Sequence, residues 1–258
     1  LQYLGITGRP LVHTPHDPSI AGDAQMNESE QSAMLGMKGE PELSELLPVV
    51  KALEVLRYTS GSLHIQPISS PMALQRIHAV KADLPGLSTG VCLYNFALDD
   101  TALSEFDSNL KVFPPLRSPA QRTQLTDLLR QGAIDVLCSG HQAQGIEEKQ
   151  VEFGHADPGM LGLQTAFSLA VMHLIDTEAL SLAQWVEKTA ISPAKILGTE
   201  APVIAEGHLA TLTLFDPEKT WTLTREDIPS RAKNSPFTGQ LLKGKALGIV
   251  QKGRLYTN

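Results

Sequence analysis

The stretch IDVLCSGHQAQG, residues 134 to 145, decides how the rest of the chain is read. Its first half, Ile134-Asp135-Val136-Leu137-Cys138, is a short apolar run of the kind that forms a buried strand. The run ends in Ser139-Gly140-His141, and the carboxyl end of a strand is where an α/β barrel puts its chemistry. A histidine stands there, without the acid expected beside it.

Outward from this stretch, strand-like and helix-like runs alternate. Leu11-Val12-His13, Ser62 to Ile65 and Leu87 to Leu93 are predicted strands. Residues 42 to 58 carry Leu43, Leu46, Leu47, Val50, Leu53 and Leu56 at helical spacing, with Pro48 expected to start or kink the helix. Met72 to Val80 and Ala120 to Leu129 are predicted helices, and a long apolar helix, Met160 to Ile175, is expected after the turn at Pro158-Gly159. Ser181 is expected to open a helix to about Ala190, and Ser192-Pro193 a short one that Gly198 ends. This alternation predicts an α/β fold of βα units on a parallel sheet. Four units are visible where a (β/α)8 barrel needs eight, so the expected architecture is the C-terminal portion of such a barrel. A shortened doubly wound sheet is the competing arrangement. The chain begins at Leu1, without methionine, in what reads as the end of a helix, and the N-terminal barrel units are expected to lie before it. After Gly198 the period changes: TLTLFDP, WTL and ALGIVQKGRLY alternate with period two, between turn residues. Residues 1–198 are therefore assigned to barrel units and 199–258 to a β-rich tail outside them.

Composition narrows the function classes. The 258 residues are 42% hydrophobic and 19% charged, with a formal net charge of −7 and no long basic block. Nucleic acid and anionic membrane surfaces are not expected partners on electrostatic grounds, and no apolar run approaches the roughly 18 residues of a membrane span. Cys92 and Cys138 lie in apolar strand-like segments, and free buried thiols fit a reducing, cytoplasmic setting better than a disulfide framework.

Among the eight histidines, His13, His64 and His141 fall at or just after a strand, where a metal site draws its ligands. The pair His13 and His16, in HTPH, has Pro15 between its members and is a weak metal signal. There is no His-x-His, no His-Glu-x-x-His, no phosphate-cradling Gly-rich loop and no Gly-x-Ser-x-Gly elbow. Residue chemistry alone describes a barrel-like protein with an impoverished pocket.

Several segments together resemble one family. KVFPPLRS (111 to 118), DPGMLGLQTAFSLAV (157 to 171), ISPAKILG (191 to 198), EGHLATLTLFDP (206 to 217) and NSPFTGQLLKGKALGIVQKGRLY (234 to 256) are similar to the second half of a dihydroorotase, in the cyclic amidohydrolase superfamily. AQMNESEQSAMLGMKG (24 to 39) is similar to that family's stretch after the fourth barrel strand. The resemblance implies a (β/α)8 barrel with a small β-sandwich that includes the tail, and a family chemistry of zinc-assisted cyclic amide hydrolysis.

The resemblance also implies that the site is degenerate. Pro67 stands where the family has a ligand histidine, and Tyr94 and Asn95 lie in the segment that carries another. Gly140 takes the place of the aspartate that binds metal and exchanges the proton of the attacking water, leaving His141 as its neighbour. Phe113 replaces a substrate-contacting asparagine, while Arg117 of the same segment remains. Arg117, His141 and Asn109 are thus the pocket candidates, with His13, His16 and His64 as weak metal candidates. Hydrolysis of this type must lower the pKa of water from 15.7 to about 7 and hold a base near it. The resemblance therefore implies a catalytically inactive dihydroorotase-like protein of pyrimidine biosynthesis, without a cofactor. The resemblance further implies assembly as an oligomer with the aspartate carbamoyltransferase catalytic chain. The alternatives are a zinc-dependent dihydroorotase with an atypical metal site, and a metabolite-binding protein that uses the old pocket.

Overall fold

The structure, a computed structural model, describes residues 1–201 and 203–257. Its strands are β1 (Leu11–His13), β2 (Met26–Asn27), β3 (Gly39–Glu40), β4 (Leu63–Ile65), β5 (Leu87–Cys92), β6 (Val136–Cys138), β7 (Leu212–Thr222), β8 (Leu241–Gln251) and β9 (Arg254–Thr257). Four of them form a parallel sheet in the order β1-β4-β5-β6, so all four C-terminal ends point the same way. Leu63, Ile65, Val91 and Leu137 are buried, as strands covered on both faces require. The first four predicted strands are present, each trimmed by up to two residues. A two-residue ladder, β2 with β3, was not legible in the sequence and lies before the first long helix.

Helices Leu43–Thr59, Pro71–His78 and Pro119–Arg130 pack beside the sheet, and Val49, Leu53, Leu56, Leu74, Ile77, Leu125 and Leu129 join the strands in one core. The last two helices begin on serine caps, Ser70 and Ser118, each followed by proline at the first helical position. Pro48 lies inside the first helix rather than at its start. Its buried stripe also differs from the apolar one expected: Glu45, Val49, Leu53 and Leu56 face inward, while Leu43 and Leu47 are exposed. A buried ion pair at Glu45 turns that face toward the core.

The Met160–Ile175 segment is helical only from Ala166. Met160 instead bridges His141 in parallel, and Gly162 lies against the Ser139 carbonyl, where an added Cβ would come within 2.0 Å. That close approach keeps the first residues extended. Helical structure then runs from Leu182 to Leu197 without the expected break, because a π turn at Glu187–Ile191 accommodates the sequence before Pro193. Gly198 ends it in the left-handed conformation, φ 67°.

The β-rich tail is an antiparallel sheet, β7-β8-β9. Lys252 and Gly253 make its last hairpin, both at positive φ (49° and 74°), as a tight two-residue turn demands. The tail is docked through Ser168 of the helix Ala166–Ala170, whose Oγ donates to the Gly244 carbonyl of β8 and accepts from Trp221 Nε1 of β7 at 3.1 Å. An added Cβ at Gly244 would meet Val171 Cγ2 at 2.7 Å, so only glycine permits this approach.

Candidate functional site

The C-terminal ends of β4, β5 and β6 bring the segments after them to one rim. After β6 the backbone turns at Gly140 with φ +63°, a conformation that L side chains seldom adopt. A Cβ built there would lie 2.3 Å from Tyr94 Cε1 and 3.0 Å from Cys92 Sγ. The space next to Gly140 is therefore taken by the Tyr94 ring, which is 3% exposed and directs its hydroxyl to the Phe113 carbonyl at 3.3 Å. Burial pushes the Tyr94 phenol well above its ordinary value, and the nearby cysteines add to this. After β4, Gln66 leads through a cis bond into Pro67, which offers no lone pair. Asn95 is 2% exposed, and neither end of its amide has a hydrogen-bond partner among the described residues.

Three of the four histidines that the sequence singles out, His64, His141 and His16, have side-chain partners. His64 holds Ser88 Oγ at Nδ1 and Gln66 Oε1 at Nε2, both at 2.8 Å, and burial lowers its pKa. The absent side chain of Gly90 makes room for this pair, since a Cβ there would sit 2.5 Å from Gln66 Oε1. His141 Nδ1 accepts backbone N–H groups from Gly162 and Leu163 at 3.3 and 3.4 Å, so the ring pins the segment that follows Met160. His16 lies 3.6 Å from Glu40 and packs edge-on against the Phe113 ring. His13, its pKa lowered by burial, borders with His16 a cavity of about 460 Å³ beside Asp17 and Lys51. Among the described residues there is no group of three or more His, Cys, Asp or Glu side chains that could hold a metal ion.

Arg117 is 2% exposed and sits inside a polar network. Its Nε donates to Ser69 Oγ at 2.8 Å, one terminal nitrogen to Asn27 Oδ1 at 2.8 Å and the other to Glu45 Oε2 at 3.2 Å. Glu45 also accepts from the backbone of Ser69 and Ser70 at 2.9 and 2.7 Å. Burial raises the Glu45 pKa, while Arg117 and the donated hydrogen bonds oppose that shift. The guanidinium therefore faces the first helix and the loop after β4. Glu45 was not legible as a site residue, because its partner lies 72 positions away.

Asn109 is turned onto Asp107, its backbone and side-chain N–H groups both 2.9 Å from Oδ1. It borders a cavity of about 380 Å³ with Lys149, Arg225, Arg231, Lys233 and Asn234. Lys149 is buried there and donates to the Ser108 and Lys111 carbonyls at 2.8 and 3.2 Å; burial, with Lys111 nearby, brings its pKa down to about 8. The only sequence signal for this basic cluster is Arg225, Arg231 and Lys233 close together before Asn234.

The chain is similar to two proteins named dihydroorotase: 33% identical over 255 residues to that of Geobacter metallireducens and 34% over 245 to that of Ruminiclostridium cellulolyticum. These matches cover 99% and 95% of the chain but 60% and 57% of the relatives, so the chain spans about 60% of the length of the curated relatives it matches. Among solved structures, L-hydantoinase from Arthrobacter aurescens superimposes with a TM-score of 0.88 at 22% identity, over 100% of this chain and 59% of that one. D-hydantoinase from Thermus sp. gives 0.82 at 20%, over 100% and 59%. These likenesses establish the barrel-type fold. The model of the amidohydrolase family matches residues 79–256, which include β5, β6 and the antiparallel tail. The chain belongs to the amidohydrolase family.

Proposed function

We propose that this protein is a non-catalytic, dihydroorotase-like member of pyrimidine biosynthesis that serves as a structural partner of aspartate carbamoyltransferase. The observation that carries the reading is the Gly140 position. The Tyr94 ring and the Cys92 thiol fill the volume a carboxylate side chain would need, and the backbone there has positive φ. Gly140, Pro67, Tyr94 and Asn95 do not fit a zinc ion, since none offers an imidazole or carboxylate donor. The likeness to proteins named dihydroorotase supports the pathway, and the partner role is what the family resemblance implies for an inert member.

The test uses the full-length protein. Zinc content is measured by mass spectrometry after dialysis, dihydroorotate hydrolysis by loss of absorbance, and assembly by co-elution with the transcarbamoylase in size-exclusion chromatography. The expected result is substoichiometric zinc, no turnover and a shared peak. Stoichiometric zinc with turnover would instead establish a dihydroorotase with an atypical site, and separate elution would remove the partner role.

A further inference from the structure

Cys92 ends β5 and Cys138 ends β6, and the two residues are register partners in adjacent parallel strands. Both are free thiols, with their sulfurs 3.4 Å apart. Their accessibility differs. Cys92 is 3% exposed, whereas Cys138 is partly exposed and lines a cavity of about 410 Å³ with His64, Gln66 and Ser139. Hydrogen bonds from the Cys92 thiol and from the backbone at Gly140 and Cys138 favour the Cys138 thiolate and hold that thiol below its ordinary value. The same hydrogen bond and burial push Cys92 well above its own. One sulfur is thus reachable and stabilised as the anion, and the other is a protonated thiol in contact behind it.

The geometry points to a peroxide-oxidisable dithiol in which Cys138 is the nucleophile and Cys92 the resolving thiol. The substrate class is a small uncharged hydroperoxide, which the cavity beside Cys138 admits. In the first step the Cys138 thiolate attacks the nearer peroxide oxygen and the O–O bond breaks. Cys138 is oxidised to the sulfenic acid, and the peroxide is reduced to hydroxide or alkoxide. In the second step the Cys92 sulfur attacks the sulfenic sulfur and the S–O bond breaks. The disulfide forms, and the Cys92 proton leaves with the hydroxyl as water. Closing the sulfurs to bond length needs a movement of about 1.4 Å, within the reach of side-chain rotation. The product would tie β5 to β6 beside Tyr94 and Gly140.

The experiment treats the reduced, folded chain with stoichiometric hydrogen peroxide, stops the reaction with a maleimide in denaturant and reads the intact mass. Wild type is expected to lose two hydrogen masses and take up no maleimide, reversibly with dithiothreitol. Cys92→Ser is expected to stop at the gain of one oxygen mass, trapped by dimedone at residue 138, and Cys138→Ser to keep its remaining thiol alkylatable. Circular dichroism of the reduced variants confirms that they fold. Two free thiols in peroxide-treated wild type would overturn the inference. So would a Cys138→Ser chain that oxidises at the wild-type rate, or oxidation of Cys138 to the sulfinic acid with Cys92 still free.

Discussion

Substitution of Gly140 puts the packing argument at risk in a single measurement. Gly140→Ala adds only the Cβ, and that atom would lie 2.3 Å from Tyr94 Cε1, 2.9 Å from Cδ1 and 3.0 Å from Cys92 Sγ. Two costs add. Holding an L residue at φ +63° costs roughly 1 to 2 kcal/mol, and overpacking a filled site costs about 1 to 3. A loss of ~3 kcal/mol is expected, which for a chain of this size lowers the melting temperature by on the order of 6 to 12 °C. Gly140→Asp is expected to lose at least as much, because it presses a carboxylate against the buried Tyr94 ring and Cys92 thiol. The assay is urea unfolding followed by tryptophan fluorescence, with a lower midpoint and unchanged slope expected. Tyr94→Ala separates the two costs. In that background the penalty at 140 should shrink by ~1 to 2 kcal/mol, because the clash is relieved and the backbone cost remains. A Gly140→Ala chain within ~0.5 kcal/mol of wild type, or strict additivity with Tyr94→Ala, would refute the reasoning.

Arg117→Met should cost about 3 to 5 kcal/mol in the same urea assay, because it leaves the buried Glu45 carboxyl without its cation. Arg117→Met with Glu45→Gln should recover part of that, and no recovery would mean that Arg117 acts through packing alone. His64 and His13 both have pKa values lowered by burial, so the unfolded chain binds more protons than the folded one below about pH 6.5. Their contribution is complete above that pH and is lost as pH falls toward the folded values. The raised Glu45 pKa acts in the opposite sense, so the histidine contribution is read by difference: below about pH 6.5 the urea midpoint of wild type should fall more steeply than that of His64→Gln. Trp221→Phe removes the N–H that reaches Ser168 Oγ and the Gly244 carbonyl and should cost about 1 kcal/mol. Amide exchange should then speed up in β7 and β8 while β4 and β5 keep their protection, and uniform exchange throughout would contradict this docking.

The boundaries that local chemistry controls were legible. The Ser181 opening of a helix and the Gly198 stop are each decided by a few neighbouring residues. The misread boundaries lie where a distant atom intervenes. Met160 to Gly162 carry an apolar run that suits a helix, yet the Ser139 carbonyl and His141 draw them into an extended segment. Leu43 and Leu47 match the helical spacing, yet the buried pair between Glu45 and Arg117 turns that face outward.

By itself the sequence determined the alternation of strands and helices and the change of period after Gly198. Only the tertiary structure decided that the Tyr94 ring occupies the space at Gly140, that Arg117 serves a buried carboxylate, and that Cys92 meets Cys138. The physical reason is one of range. Periodicity records which face of a segment avoids water, a property of neighbouring residues, and it is written into the chain directly. The partner a side chain meets depends on strand register and packing across 46 positions for the thiols and 72 for the ion pair. Those contacts exist only after the segments have come together.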